Sequence, residues 1–252
     1  MNKTVWKSQN EIAHLFQDVN SVTVFSCIFC ANLSGTGGAL GIKIMKRILN
    51  DLHVKVVKGE CVLVCCEENI MRQAIKRYSK AIAKSDALVV LSCAAGVKSA
   101  FLGKPDVPII SPLNPAGSAV VSYSDDPVAR GICTVCGNCV IAYTGGICPV
   151  SECPAGTRYG PCKNANDNHG RCVMRLSEDC VWEEIKKRAD IGQLEKLKSL
   201  HKELDKPEKD NQPDTTASAA GSQSPARASL KSYLAWFGVR IQSIEKLIAI
   251  YR

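Results

Sequence analysis

Apolar and polar positions between residues 22 and 111 follow two alternating patterns, one typical of buried strands and one typical of helices. Short runs rich in β-branched residues predict the strands, and apolar positions at helical spacing predict the helices. The predicted strands are residues 22–27, 60–66, 87–93 and 107–111, and the predicted helices are residues 42–52 and 69–84. Strands that alternate with helices form parallel sheets, so we expect an α/β fold with a Rossmann-like parallel-sheet domain over residues 1–126.

The pattern changes after Asp126. Residues 127–182 contain eight cysteines and little apolar material, and such a segment seldom folds without disulfides or bound metal. We therefore expect a small Cys-rich, metal-stabilised module there. The rest is predicted as a helical tail: a helix over 183–204, a disordered linker over 205–228, and a C-terminal amphipathic helix over 229–252.

The chain has 14 cysteines, which serve as disulfides, as reduced bystanders or as metal ligands. Residues 1–16 are polar and mixed in charge, without the apolar core of a secretory signal. No stretch approaches the roughly 20 apolar residues of a membrane span. We expect a soluble, cytoplasmic protein whose thiols stay reduced, which excludes a disulfide framework and favours metal ligands.

The formal net charge of +8 raises the question of nucleic acid. The Lys and Arg residues are scattered and interleaved with acids, most densely over residues 186–209. We interpret them as a solvated helical surface rather than a nucleic-acid patch, and such a surface also suits docking to an acidic redox partner.

Five cysteines fall at the ends of three predicted strands: Cys27, Cys30, Cys65, Cys66 and Cys93. Parallel strands end on one edge of a sheet, where α/β proteins bind ligands, so we expect a shared metal site. The alternative is that they are small buried residues. The Gly-rich turn over residues 34–41 resembles a nucleotide-binding turn but lacks the Gly-Lys-Ser/Thr ending, and we favour a turn that wraps a cluster.

The Cys-rich segment contains three cysteines at successive x2 spacing, followed by two Cys-Pro dipeptides. Its eight candidate ligands are Cys133, Cys136, Cys139, Cys148, Cys153, Cys162, Cys172 and Cys180. The x2 spacing and the Cys-Pro steps resemble bacterial ferredoxins, whereas zinc sites usually use two separate Cys-x2-Cys pairs. We expect one to three [4Fe–4S] clusters, with zinc as an alternative or additional metal. His169 is a further candidate ligand.

Several motifs resemble the C-terminal domain family associated with methylenetetrahydrofolate reductase, in its stand-alone form, the MetV-type small subunit. They are Cys133-Thr-Val-Cys-Gly-Asn-Cys139, Thr144-Gly-Gly-Ile-Cys-Pro149, Tyr159-Gly-Pro-Cys162, Gly170-Arg-Cys172 and Asp179-Cys-Val-Trp182. The Cys27-x2-Cys30 pair with its Gly-rich turn and Ser92-Cys-Ala-Ala-Gly-Val-Lys98 are similar to that subunit's cluster-binding loops. The resemblance spans roughly residues 20–190.

The resemblance implies an iron–sulfur subunit that passes electrons to a separate flavoprotein methylenetetrahydrofolate reductase, with a ferredoxin-like protein as a possible donor. Two positions depart from the family. Ser34 stands where a third N-terminal cysteine is often found, so that site must use Cys65 or Cys66 and Cys93. Lys163 and Asn164 replace paired glycines after Cys162.

No acid and base pair in the sequence supports catalysis by this chain itself. Its four histidines, His14, His53, His169 and His201, have no orienting partner in the sequence pattern. We expect a non-catalytic subunit of an oxidoreductase complex. Two alternatives remain: a zinc-stabilised structural or interaction module without redox activity, and an accessory protein of corrinoid- or pterin-linked methyl transfer.

Overall fold

The computed structural model describes residues 3–117, 126–162 and 170–204, with the side chains of residues 203 and 204 left out. The predicted linker, the predicted terminal helix and His169 lie outside the described residues. The strands are β1 Thr4–Trp6, β2 Ser21–Cys27, β3 Lys55–Val62, β4 Ala87–Leu91, β5 Ile109–Ile110 and β6 Leu113–Pro115. The α-helices are α1 Gln9–Leu15, α2 Cys30–Leu33, α3 Gly38–Asp51, α4 Glu68–Arg77, α5 Ser79–Ile82, α6 Ala94–Leu102, α7 Pro149–Glu152, α8 Val181–Arg188 and α9 Gly192–Leu204.

The predicted parallel sheet is confirmed: strands β3, β2, β4 and β5 lie side by side in that order, each pair parallel. Alternate residues of β4 enter different cores. Leu88 and Val90 pack with α4 and α6 on one face, and Val89 and Leu91 pack with α1 and α3 on the other. Because both faces are covered, the central strand is apolar along its whole length.

Strand β3 differs from its prediction. It runs over Lys55–Val62 rather than 60–66, and Cys65 and Cys66 lie in the turn that follows it. β3 lies at an edge of the parallel sheet, so polar residues such as Lys55 and Lys58 reach solvent. The strand therefore lacks the continuous apolar run from which a buried strand is predicted. The adjacent Cys-Cys pair therefore sits on a turn.

Two predicted helices are each divided. The helix predicted over 69–84 is interrupted at Tyr78, whose ring packs edge-on against Phe25 with centroids 5.8 Å apart. Extended backbone at Ala189 separates α8 from α9. No helix within the described ranges is long and apolar enough to cross a membrane.

Residues 126–162 and 170–180 fold against the sheet and α6 with little regular structure, namely a 3₁₀ turn at Ile141–Thr144, helix α7, and an isolated bridge between Arg171 and Asp179. Ile147 of this segment and Trp182 and Ile185 of α8 are fully buried. A second, short antiparallel pair joins β1 to β6 beside this segment. The described residues all belong to one compact unit, Met1–Asp205.

Candidate metal centre

The structure brings together the five cysteines of the strand ends, here called the N-terminal set (Cys27, Cys30, Cys65, Cys66 and Cys93). Cys27 ends β2, Cys30 begins α2, and Cys93 immediately precedes α6. Cys27, Cys65 and Cys93 are at most 4% exposed. The carboxyl edge of the sheet thus gathers thiols from three separate segments.

The thiols of the N-terminal set influence one another strongly. A hydrogen bond from the Cys65 thiol lowers the pKa of Cys27 to about 6, against the opposing effect of burial. The pKa of Cys65 is raised by the same hydrogen bond and by burial. Burial and the charge of Cys93 raise the pKa of Cys66 to about 11. Several buried thiols that resist ionising together are thiols that a bound cationic centre would stabilise as thiolates.

Two glycines allow close packing around this set. A methyl group added at Gly96 would lie 2.7 Å from Cys65 Cβ and 2.1 Å from Ser92 Oγ. One added at Gly37 would lie 2.5 Å from the carbonyl oxygen of Cys27. The Gly-rich turn therefore wraps directly onto the cysteine-bearing backbone.

The central set consists of Cys133, Cys136, Cys139 and Cys148, which together line an enclosed cavity of about 20 Å³. Val135 and Gly137 adopt left-handed backbone conformations, with φ of 56° and 82°, and turn the loop so that successive cysteines face inward. Burial raises the pKa of Cys139 to about 12. Residues from the N-terminal half of the chain, among them Ala94, Lys98 and Pro115, complete the wall of this cavity.

The C-terminal set consists of Cys153, Cys162, Cys172 and Cys180, which line a second enclosed cavity of about 30 Å³. Cys172 and Cys180 lie on the two sides of a short hairpin, where the Cys180 amide donates to Gly170 O at 2.8 Å. Trp182 covers the cavity, and its Nε1 donates to Thr157 Oγ1 at 2.7 Å. The same hydroxyl lies 3.4 Å from Cys153 Sγ.

The three sets are neighbours. Cys93 and Cys180 share one buried apolar cluster, against which Cys66, Cys133 and Cys153 also pack. A charge on Cys93 raises the pKa of Cys133, after the larger effects of burial and Cys148. The thirteen candidate ligands thus fall into three adjacent groups.

Cys61 is the remaining cysteine and lies within β3, outside the three sets. None of the fourteen described cysteines forms a disulfide.

Within the described ranges, no three His, Cys, Asp or Glu side chains are arranged to hold a metal ion. Four thiolates bound to one zinc ion at ~2.3 Å would lie within about 4 Å of one another. A four-iron cluster instead binds each of four thiolates through a different iron. Each of the two cavities is lined by that number of cysteines.

A buried polar network borders the central set and was not predicted. Lys7 pairs with Glu11, whose other oxygen lies 3.2 Å from His201 Nε2, and all three side chains are 1% exposed. His201 Nδ1 lies 2.8 Å from the Tyr159 hydroxyl. Burial raises the pKa of Glu11, but His201 and Lys7 together outweigh it and lower that pKa below its ordinary value. In the sequence, residues 1–16 show only a polar pattern of mixed charge, which does not indicate this network.

Larger depressions are open and contain no cysteine among the described residues. One, of about 560 Å³, runs along α3 beside Lys43 and Lys46, and another of equal volume lies between α1 and α9. The enclosed cysteine cavities, rather than the largest depressions, concentrate reactive groups. Fold and site together define an α/β protein with three adjacent groups of buried and partly buried thiols.

Comparison with known proteins adds one finding. Residues 119–207 match the family described as methylene-tetrahydrofolate reductase C terminal. The matched range includes all eight cysteines of the central and C-terminal sets. No curated protein and no solved structure matches the chain. The resemblance of the N-terminal half to a MetV-type subunit stays a prediction.

Proposed function

We propose that this protein is an iron–sulfur electron-transfer subunit that delivers electrons to a flavin-containing methylenetetrahydrofolate reductase in one-carbon metabolism. The observation that carries the proposal is the division of eight cysteines into two enclosed four-cysteine cavities. The N-terminal set, at the carboxyl edge of the sheet, adds a third candidate site. Bound [4Fe–4S] clusters would supply one-electron chemistry.

Each four-cysteine set matches the thiolate count of one cluster. The N-terminal set has five cysteines for four positions, and either member of the Cys65–Cys66 pair satisfies the count. We assign Cys66 as the fourth ligand because charges on Cys93, Cys27 and Cys30, the other three ligands, all act on its thiol, whereas the main charges acting on Cys65 are those of Cys27 and Cys93.

Adjacent sets favour electron transfer over a purely structural role. A structural metal needs no neighbour, whereas an electron relay requires closely spaced centres. Cys93 links the N-terminal set to Cys133 of the central set, and its apolar cluster continues to Cys180. This neighbourhood supports the proposal, in which electrons would pass between clusters bound in the three sets.

The partner follows from the family match. The matched family is named for methylene-tetrahydrofolate reductase, an enzyme whose flavin accepts electrons, and the resemblance implies that the flavin resides on a separate chain. A ferredoxin-like protein is the proposed donor. The match covers residues 119–207, so the N-terminal set enters this proposal on the geometry of its thiols alone.

A zinc-binding structural module is the second candidate, and one feature of the C-terminal set favours it. The Cys172–Cys180 hairpin brings two thiols into one cavity, as a structural zinc site requires, and Glu178 and Asp179 add negative charge beside the cavity. Zinc in this set would hold the fold together without redox activity. Iron in the other two sets would remain compatible with electron transfer.

The decisive experiment measures iron, zinc and acid-labile sulfide per chain on anaerobically purified protein, with EPR spectra before and after dithionite. We expect iron and sulfide in equal amounts, at about four of each per occupied set, and reduced-cluster signals. Addition of the purified flavoprotein should then reoxidise the reduced clusters. Zinc without sulfide would contradict the proposal, and so would clusters that the flavoprotein never oxidises.

A further inference from the structure

Lys98, the last residue of the Ser92–Lys98 motif, is a buried lysine for which the sequence pattern indicates no role of its own. It lies on α6 and is 3% exposed. Its Nζ donates to the carbonyl oxygens of Arg130 and of Gly131, the latter at 3.3 Å. These two carbonyls satisfy hydrogen bonds but carry no net charge. Burying an ammonium group without a counter-charge costs several kcal/mol, so the charge of Lys98 requires an explanation.

No carboxylate in the described ranges lies within ion-pair distance of Lys98. Glu152 acts on it only through space. Lys7, the other buried lysine beside the central set, is different because Glu11 neutralises it. Lys98 is therefore a buried cation whose partner has to be sought elsewhere.

The cysteines of the central set provide that partner. Lys98 lines the cavity enclosed by Cys133, Cys136, Cys139 and Cys148. The strongest charge acting on its ammonium group is that of Cys148, followed by Glu152 and then by Cys133 and Cys139. The lining residues of the C-terminal set instead include Glu152, Glu178 and Asp179, and no lysine or arginine.

We propose that Lys98 is the counter-charge of the central set and raises the reduction potential of the cluster bound there above that of the C-terminal set. The inference rests on the proposed iron–sulfur function. Reduction adds one electron, supplied in the test by dithionite, and makes a four-thiolate cluster one unit more negative. A buried cation stabilises the more negative state, whereas neighbouring carboxylates oppose it.

This difference in reduction potential predicts the order in which the two clusters accept an electron. Among the two cavities, the central set would be reduced first and would hold the electron longer. Lys98 thus acts on the cluster through its positive charge and is not itself a ligand. Lys98 lies on α6, which begins directly after Cys93 of the N-terminal set, and it lines the central cavity.

The test is an EPR-monitored redox titration of the loaded chain carrying Lys98→Gln, which removes the charge and keeps a donor for Arg130 O. Lys98→Met removes both, Lys98→Arg retains the charge, and Lys43→Gln is the control at an exposed lysine. Cys148→Ser identifies the signal of the central set. We expect Lys98→Gln and Lys98→Met to lower that potential by 59 mV or more, which is tenfold in the reduction equilibrium. Lys98→Arg and Lys43→Gln should stay near the wild-type value.

Unchanged potentials in both neutral variants would overturn the inference, as would a shift in a signal that Cys148→Ser leaves untouched. If the neutral variants lose the cluster while Lys98→Arg keeps it, the charge is needed to hold the cluster, which supports the counter-charge role. Loss in all three would show that side-chain shape matters instead and would overturn it. A wild-type chain without any reducible cluster contradicts the proposed function itself, and is thereby distinguished from a failure of Lys98 alone.

Discussion

Lys7 donates a 2.8 Å hydrogen bond to the backbone oxygen of Cys139, across 132 residues of sequence. On the other side of the same residue, the Cys139 amide donates to Asn114 Oδ1 at 2.9 Å. One cysteine of the central set is therefore held through both of its backbone groups by the N-terminal half of the chain. The Lys7–Glu11 pair behind it makes this contact sensitive to charge.

Replacing Glu11 with alanine should destabilise the protein by about 3 kcal/mol, because it leaves Lys7 buried without its counter-charge. Urea unfolding of the loaded chain at pH 7 measures the effect. Glu68→Ala, which breaks an ion pair between half-exposed side chains, is the control and should cost less than about 1 kcal/mol. Equal losses in the two variants would show that the buried pair adds nothing to stability.

Glu11 should also make stability depend on acid. Its folded-state pKa lies below the ordinary value, so its contribution is complete above that value and is lost as the pH falls through and below about 4.3. In Glu11→Gln the midpoint of urea unfolding should fall less between pH 5 and pH 3 than in the wild type. An identical pH dependence would assign the acid sensitivity to other groups.

Single cysteine substitutions should separate the three sets. Cys93→Ser, Cys136→Ser and Cys172→Ser are each expected to remove the metal of one set, as measured by iron and zinc per chain. Cys61→Ser is the matched control, because Cys61 lies in β3 outside the sets, and it should retain the full metal content. Loss of all metal on changing Cys93 alone would indicate that the sets assemble only together.

Gly96→Ala should disturb the N-terminal set while leaving the C-terminal set loaded. The added methyl group would collide with Cys65 Cβ and with Ser92 Oγ, and overpacking of this kind costs about 1–3 kcal/mol. Gly192→Ala, at the exposed start of α9, meets only the exposed Asp190 side chain, with Oδ1 at 3.1 Å, and should cost little. Normal metal content and stability in Gly96→Ala would mean that α6 can move away from Cys65.

Removing metal with a chelator should loosen the Cys-rich segment and expose Trp182. The Trp182 ring is fully buried; it belongs to an apolar cluster and also lines the cavity of the C-terminal set, so loss of the metal would open the part of its surroundings that the cysteines supply. We expect a red shift of tryptophan emission in the wild type, and no shift in Trp182→Phe. Hydrogen exchange should meanwhile stay slow in β2 and β4. Unchanged emission after complete metal loss would contradict a metal-dependent fold.

Much of the sheet was predictable because its strands are buried on both faces and form short apolar runs. Helix α6 was not, since residues 94–100 are buried on all sides and show no polar stripe. The boundaries of β3 were wrong for the opposite reason, because an edge strand tolerates lysines. Both α6 and β3 depend on how far the folded protein buries each residue, and the local sequence pattern does not contain that information.

The candidate ligands were visible in the sequence, but their grouping was not. Cys148 lines a cavity with Cys139 although eight residues separate them, and Cys162 lines another with Cys172 and Cys180. Spacing alone left the partition of eight thiols open. Lys98 and Lys7 approach the central set from distant parts of the chain, so no local pattern could associate them with it.

The wall of the central set has a consequence for how this protein can be divided or recombined. Ala94, Lys98 and Pro115 belong to the N-terminal half of the chain, yet they close the cavity around cysteines that lie more than fifteen residues further along the chain. Residues 126–204 grafted onto a foreign protein would take the thiols along but leave behind part of their enclosure and the buried lysine that lines it. The Cys-rich segment therefore depends on the sheet on which it rests, and a gene fusion or deletion that separates them would expose the central cavity to water.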